Sequence, residues 1–255
     1  MGMLETAVRG TRDAGRKLFV PYVTGGFPGV DAALVRALAE AGADAIEVGI
    51  PHSDPIMDGG VIQHASRIAL EAGTRPADVL ATIHEAALDV PIAVMTYVNP
   101  VYRIGYERFA AALERAGVSG AIVPDLPVDE MGEFGAVAEA HAIDVVLLAA
   151  PGTSPERLAT IGRTSHGFVY CVATYGVTGA RDALAATAQD LVDDLRPATD
   201  LPLLVGVGIS SPDHAREACR FADGVIVGSA LMARLLEDDR AGAVELARSF
   251  RDAIA

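Results

Sequence analysis

Short runs rich in Val, Ile and Leu recur along the chain at 18–23, 45–50, 91–97, 121–124, 145–149, 168–172, 202–207 and 224–227. Their length and apolar continuity predict β-strands covered on both faces. Between them apolar residues recur at helical spacing, as in 32–41 and 109–116, with Gly42 and Gly117 at the ends as C-caps. Ser154-Pro155-Glu156 and Ser211-Pro212-Asp213 read as an N-cap followed by proline in the first turn. Strand and helix therefore alternate throughout.

Eight such βα repeats in 255 residues predict an α/β fold, a (β/α)8 TIM barrel forming one domain over residues 1–255. An extra helix is expected before the first strand, and a doubly wound open sheet is the runner-up architecture. No Gly/Ser linker or compositional break marks a second domain. Most strands start about 23 to 34 residues apart, but about 46 separate the second and third. The loop after strand 2 thus carries an insertion.

Composition narrows the function. A hydrophobic content of 51% supports a substantial core and excludes a disordered chain. No apolar run reaches the length of a membrane helix, and the N-terminus has no basic segment followed by an apolar one, which predicts a cytoplasmic protein. The net charge of −14 argues against a nucleic-acid or anionic-membrane surface. Cys171 and Cys219 lie in apolar segments without CxxC spacing and read as buried thiols. Lys17 is the only lysine.

In a TIM barrel the chemistry belongs at the C-terminal ends of the strands and in the loops that follow. In Ala45-Ile-Glu-Val-Gly-Ile50, alternation puts Glu47 on one face with Ala45 and Gly49, and the branched residues on the other. With the branched face turned to the helices, Glu47 points into the barrel mouth, where desolvation raises its pKa towards the range for acid–base work. The alternative is a rim glutamate paired with an arginine. Asp58, in Met57-Asp-Gly-Gly60, reads on its own as a turn residue, and Asp54, in Ser53-Asp-Pro55, as a loop or capping residue. Gly206-Val-Gly208 after strand 7 and Gly228-Ser229 after strand 8 occupy the positions where barrels bind phosphate through backbone N–H groups.

Elimination sharpens this. Schiff-base chemistry needs a lysine at the catalytic face, whereas Lys17 precedes strand 1. A metal site needs convergent histidines and carboxylates, yet only His52 and His64 fall near a catalytic-face loop, so no metal is expected. Carboxylate acid–base chemistry on a phosphorylated substrate remains.

Several motifs in shared order carry a family resemblance: Pro21-Tyr-Val-Thr-Gly-Gly-Phe-Pro28, Ile46-Glu-Val-Gly-Ile-Pro-His-Ser-Asp-Pro-Ile-Met-Asp-Gly59 with Ile62-Gln63, Met95-Thr-Tyr-Val-Asn-Pro100, Pro124-Asp-Leu-Pro127, Gly176-Val-Thr-Gly179 and Gly206-Val-Gly-Ile-Ser-Ser-Pro212. From about 18 to 232 the chain resembles the α subunit of tryptophan synthase. That resemblance implies a lyase that cleaves indole-3-glycerol phosphate by a retro-aldol reaction. It makes Glu47 the catalytic acid–base and Asp58 the second catalytic carboxylate. It assigns Gly179, Gly208, Gly228 and Ser229 to the phosphate, Tyr97 to the vicinity of the indole, Tyr170 to that of the glutamate, and Thr178 to a loop that closes on the aspartate. It puts Pro51 and Asp54 against a β subunit that carries pyridoxal phosphate, in an αββα heterotetramer, with no cofactor in this chain. Two alternatives are a free-standing lyase and a non-catalytic regulatory subunit. Gly60, His52 and Ala173-Thr-Tyr175 depart from the family's usual residues.

Overall fold

The computed structural model describes residues 1–172, 181–206 and 208–255. Eight parallel strands, β1 (Leu18–Thr24), β2 (Ile46–Gly49), β3 (Ile92–Met95), β4 (Gly120–Ile122), β5 (Asp144–Ala149), β6 (Val169–Val172), β7 (Leu203–Gly206) and β8 (Gly224–Val227), pair in chain order, and β8 closes onto β1. The helices are α1 (Met3–Asp13), α2 (Ala32–Glu40), α3 (Gly60–Glu71), α4 (Pro76–Ala86), α5 (Val98–Ile104), α6 (Tyr106–Ala116), α7 (Gly132–Ala140), α8 (Pro155–Thr164), α9 (Arg181–Leu195), α10 (Pro212–Ala218), α11 (Ser229–Leu236) and α12 (Arg240–Ala253). The expected barrel, its N-terminal helix and the insertion after strand 2 are all present, the insertion being α3. Pro91, Pro124 and Pro202 fall outside β3, β4 and β7, whereas Pro21 stays within β1 and pairs with Val227 of β8. Tyr97 is not a strand residue but the N-cap of α5.

Caps form where the sequence offered them. Ser154 and Ser211 accept the N–H groups of Arg157 and His214, each followed by proline in the first turn. Gly117 ends α6 in the left-handed region at φ 78°, which a side chain rarely adopts.

Burial splits the core into two shells. Ile46, Val48 and Ile50 join the large cluster between strands and helices. Leu18, Val20, Ala45, Ala93, Ile122, Val146, Phe168, Leu204 and Ile226 fill the barrel interior. Leu4 and Val8 of α1 enter that inner cluster, so the extra helix plugs the N-terminal end. Asp144, at the start of β5, holds the plug by accepting the Gly2 and Glu5 N–H groups at 3.1 and 2.9 Å. Lys17 sits at the same end, its Nζ donating to the Ala222 carbonyl at 2.7 Å.

Candidate active site

Strand pairing sets Glu47 beside Tyr22 of β1 and Ala93 of β3. The alternation of β2 turns Glu47 inward while its neighbours pack outward. Glu47 is 1% exposed, and its Oε2 has no hydrogen-bond partner among the described residues. Burial, and then the nearby Asp58 charge, push its carboxyl up to about 8. At neutral pH Glu47 is therefore a neutral acid.

Asp58 reaches the same cavity from the loop between β2 and α3. It does occupy a turn, its N–H donating to the Pro55 carbonyl at 3.0 Å, and Gln63 Nε2 holds its carbonyl at 2.8 Å. The carboxylate accepts the Tyr97 hydroxyl at 3.2 Å, while that hydroxyl accepts the Met57 N–H at 3.0 Å. Burial raises the Asp58 carboxyl to about 6, with the Tyr97 hydrogen bond acting in the opposite direction. Asp58 is thus mostly ionised at the pH where Glu47 is not. Two carboxyl groups in one cavity hold different protonation states.

Two tyrosines line the wall. Burial lifts both the Tyr22 and Tyr170 phenols above their ordinary range, so each keeps its proton as a hydrogen-bond donor. Glycine makes their room: a Cβ on Gly49 would overlap the Tyr22 hydroxyl, and one on Gly206 would overlap the Tyr170 ring. Sequence reasoning missed Tyr22. Its alternation with Val20 was legible in the strand, but its place beside Glu47 depends on the β1–β2 register.

Gly208 and Gly228 with Ser229, the first residue of α11, line the cavity that holds Glu47, Asp58 and Tyr170. Gly208 has φ 89°, so its backbone conformation itself calls for glycine. Gly59 lies close enough that a Cβ there would sit 3.9 Å from Ser229 Oγ, so the loops after β2 and β8, the two strands that flank β1, approach each other. Thr178 and Gly179 lie outside the described residues, as do Ala173, Thr174 and Tyr175. Tyr97 touches the site through Asp58. Pro51 and Asp54 do not line the cavity. Pro51 is buried, while Asp54 is exposed next to Ile56 and Met57, which are 80% and 50% exposed.

Among the described residues, one group of side chains has the spacing of a metal site: Glu5, Asp144 and His166, at the plugged end of the barrel. Both carboxylates there already accept backbone N–H groups, from Gly2, Glu5 and Gly167. No described helix is long and apolar enough to cross a membrane.

Two carboxyl groups of different pKa lining one cavity of a closed parallel barrel give the chain the architecture of a barrel enzyme. The family model for the tryptophan synthase alpha chain matches residues 9–253. A tryptophan synthase alpha chain from Streptomyces avermitilis is 45% identical over 258 residues, covering 99% of this chain and 93% of its own length. One from Streptomyces coelicolor is 46% identical, with 94% and 91% covered. The fold superposes on a crystal structure of tryptophan synthase from Mycobacterium tuberculosis with a TM-score of 0.90 at 36% identity, covering 100% of both chains.

The chain belongs to the tryptophan synthase alpha chain family. It is a lyase that cleaves indole-3-glycerol phosphate to indole and glyceraldehyde 3-phosphate in tryptophan biosynthesis. Its partner is the beta chain, to which the pyridoxal phosphate chemistry belongs. The family resemblance read from the motifs is borne out.

Proposed function

We propose that Glu47 and Asp58 divide the cleavage chemistry between them. The neutral Glu47 gives its proton to C3 of the indole ring. The carboxylate so formed takes the proton of the hydroxyl on the adjoining glycerol carbon as the carbon–carbon bond breaks. That carbon leaves as the aldehyde of glyceraldehyde 3-phosphate, the bonding pair returns to the indole ring, and Glu47 is reset with no net proton consumed. Protonation of C3 develops positive charge at the ring nitrogen, and the ionised Asp58 stabilises it by accepting the N–H. The observation that carries this reading is the buried Glu47, its Oε2 unpartnered, sharing a cavity with a carboxylate of lower pKa.

The backbone of Gly208 and Gly228 with Ser229 holds the substrate phosphate, together with Gly179. Backbone amides suit an anion site in a protein of net charge −14. Tyr97 and Tyr170 flank the indole and the glutamate, and Thr178 belongs to the loop that closes on Asp58. Pro51 and Asp54 contact the beta chain in an αββα heterotetramer. Glu47 closes the proton balance by itself and Asp58 balances the developing charge, so the reaction asks for no cofactor in this chain, which forms a single domain and works in the cytoplasm.

Single-turnover cleavage of indole-3-glycerol phosphate by Glu47→Gln and Asp58→Asn tests the division. Each is expected to be slower by about 10²–10⁴-fold, as for loss of acid–base or charge-stabilising groups. A wild-type rate in Glu47→Gln removes its acid–base role. A wild-type rate in Asp58→Asn removes the second role alone.

A further inference from the structure

His52 opens the loop that carries Asp58, directly after Pro51, and it is half-buried. Its ring lies flat against Tyr97, with centroids 4.6 Å apart and planes inclined by 15°. Tyr97 is 4% exposed, and its hydroxyl makes two hydrogen bonds to the same loop: it donates to Asp58 Oδ2 and accepts the Met57 N–H. Among the described residues, the Tyr97 hydroxyl is the side-chain group that bonds the Asp58 carboxylate.

The loop offers little else to fix that carboxylate. Ile56 projects into solvent, Met57 is half exposed at the edge of the cavity, and the space where a Gly60 side chain would stand is open. Gln63 clamps the Pro55 and Asp58 carbonyls, at 3.4 and 2.8 Å, which secures the backbone and leaves the carboxylate to Tyr97. Glycines at 59 and 60 add backbone freedom immediately beyond Asp58.

We propose that His52 is a positioning residue for the cleavage reaction: by stacking on Tyr97 it fixes the ring whose hydroxyl orients Asp58. The inference rests on the reading of Asp58 as a reacting carboxylate. Steady-state cleavage is measured on the full chain with its beta chain present, following glyceraldehyde 3-phosphate, for His52→Ala, His52→Phe, Tyr97→Phe, His52→Ala/Tyr97→Phe and Asp58→Asn.

His52→Ala is expected to lower kcat about two- to tenfold, the range of an aromatic stack, with KM almost unchanged. His52→Phe, which keeps a flat ring, restores kcat to near the wild-type value. In the Tyr97→Phe background, where no hydroxyl remains to orient, His52→Ala has little further effect. A wild-type kcat in His52→Ala overturns the proposal. So does a Phe variant no better than the Ala variant, or an effect of equal size with and without the Tyr97 hydroxyl. The Asp58→Asn arm separates the two layers. A wild-type rate there removes the Asp58 reading itself, whereas a slow Asp58→Asn beside an unaffected His52→Ala removes only the positioning role.

Discussion

Replacing Glu47 by glutamine removes a titration that the fold opposes, and the consequence can be worked from the structure. The folded state keeps the Glu47 proton until about pH 8, whereas an exposed glutamate releases it near 4.5. Between those values folding takes up a proton, so the stability contributed by the neutral acid is fully present below the unfolded pKa and is lost as pH rises through the window. At about 1.36 kcal/mol per pH unit, the wild type loses about 2 to 3 kcal/mol from this group between about pH 5 and pH 7. Glutamine does not titrate. Its amide adds an offset that is the same at every pH, and the rest of the acidic surface is common to both proteins. Equilibrium urea unfolding of the two proteins across this range should therefore show Glu47→Gln gaining on the wild type by that amount as pH rises. A stability difference that does not change with pH would refute the claim that Glu47 is buried as a neutral acid.

Three further outcomes are expected. Activity that needs Glu47 protonated and Asp58 ionised gives a bell-shaped kcat/KM profile, rising through about 6 and falling through about 8; a flat profile across that range contradicts the assignment. Gly206→Ala drives a Cβ into the Tyr170 ring, so it should cost about 1–3 kcal/mol of stability as overpacking and weaken substrate binding; an unchanged melting temperature contradicts the packing argument. Asp144→Ala removes the acceptor of the Gly2 and Glu5 N–H groups, so α1 should lose protection from hydrogen exchange at a cost of about 1–2 kcal/mol, comparable to losing a helix cap, with cleavage unaffected.

What the sequence made legible was what local pattern controls. Strand positions followed from apolar runs, and the inward direction of Glu47 followed from a two-residue period. The strand ends at Pro91, Pro124 and Pro202 did not follow from the apolar runs, which extended through all three, while Pro21 stays within β1. Asp58 shows the limit. Its turn was readable because Asp-Gly is a local signal, and the turn is real. Its entry into the cavity depends on a tyrosine 39 residues away, which no local pattern encodes. Tyr22 and Asp144 were hidden for the same reason: the first depends on the register of two strands, and the second caps a helix 139 residues earlier in the chain. The family resemblance supplied the role of Asp58 that spacing could not.

Movement of the indole C3 proton by Glu47 is the core of the proposed chemistry, and it can be followed without waiting for net cleavage. In D2O, with indole and glyceraldehyde 3-phosphate present, repeated condensation and cleavage wash deuterium into indole C3, which proton NMR follows directly. Wild-type protein should catalyse that exchange, and Glu47→Gln, folded and able to bind substrate, should slow it by at least about a hundredfold. Exchange at the wild-type rate in Glu47→Gln would contradict the account, because the proton would then be travelling through another group.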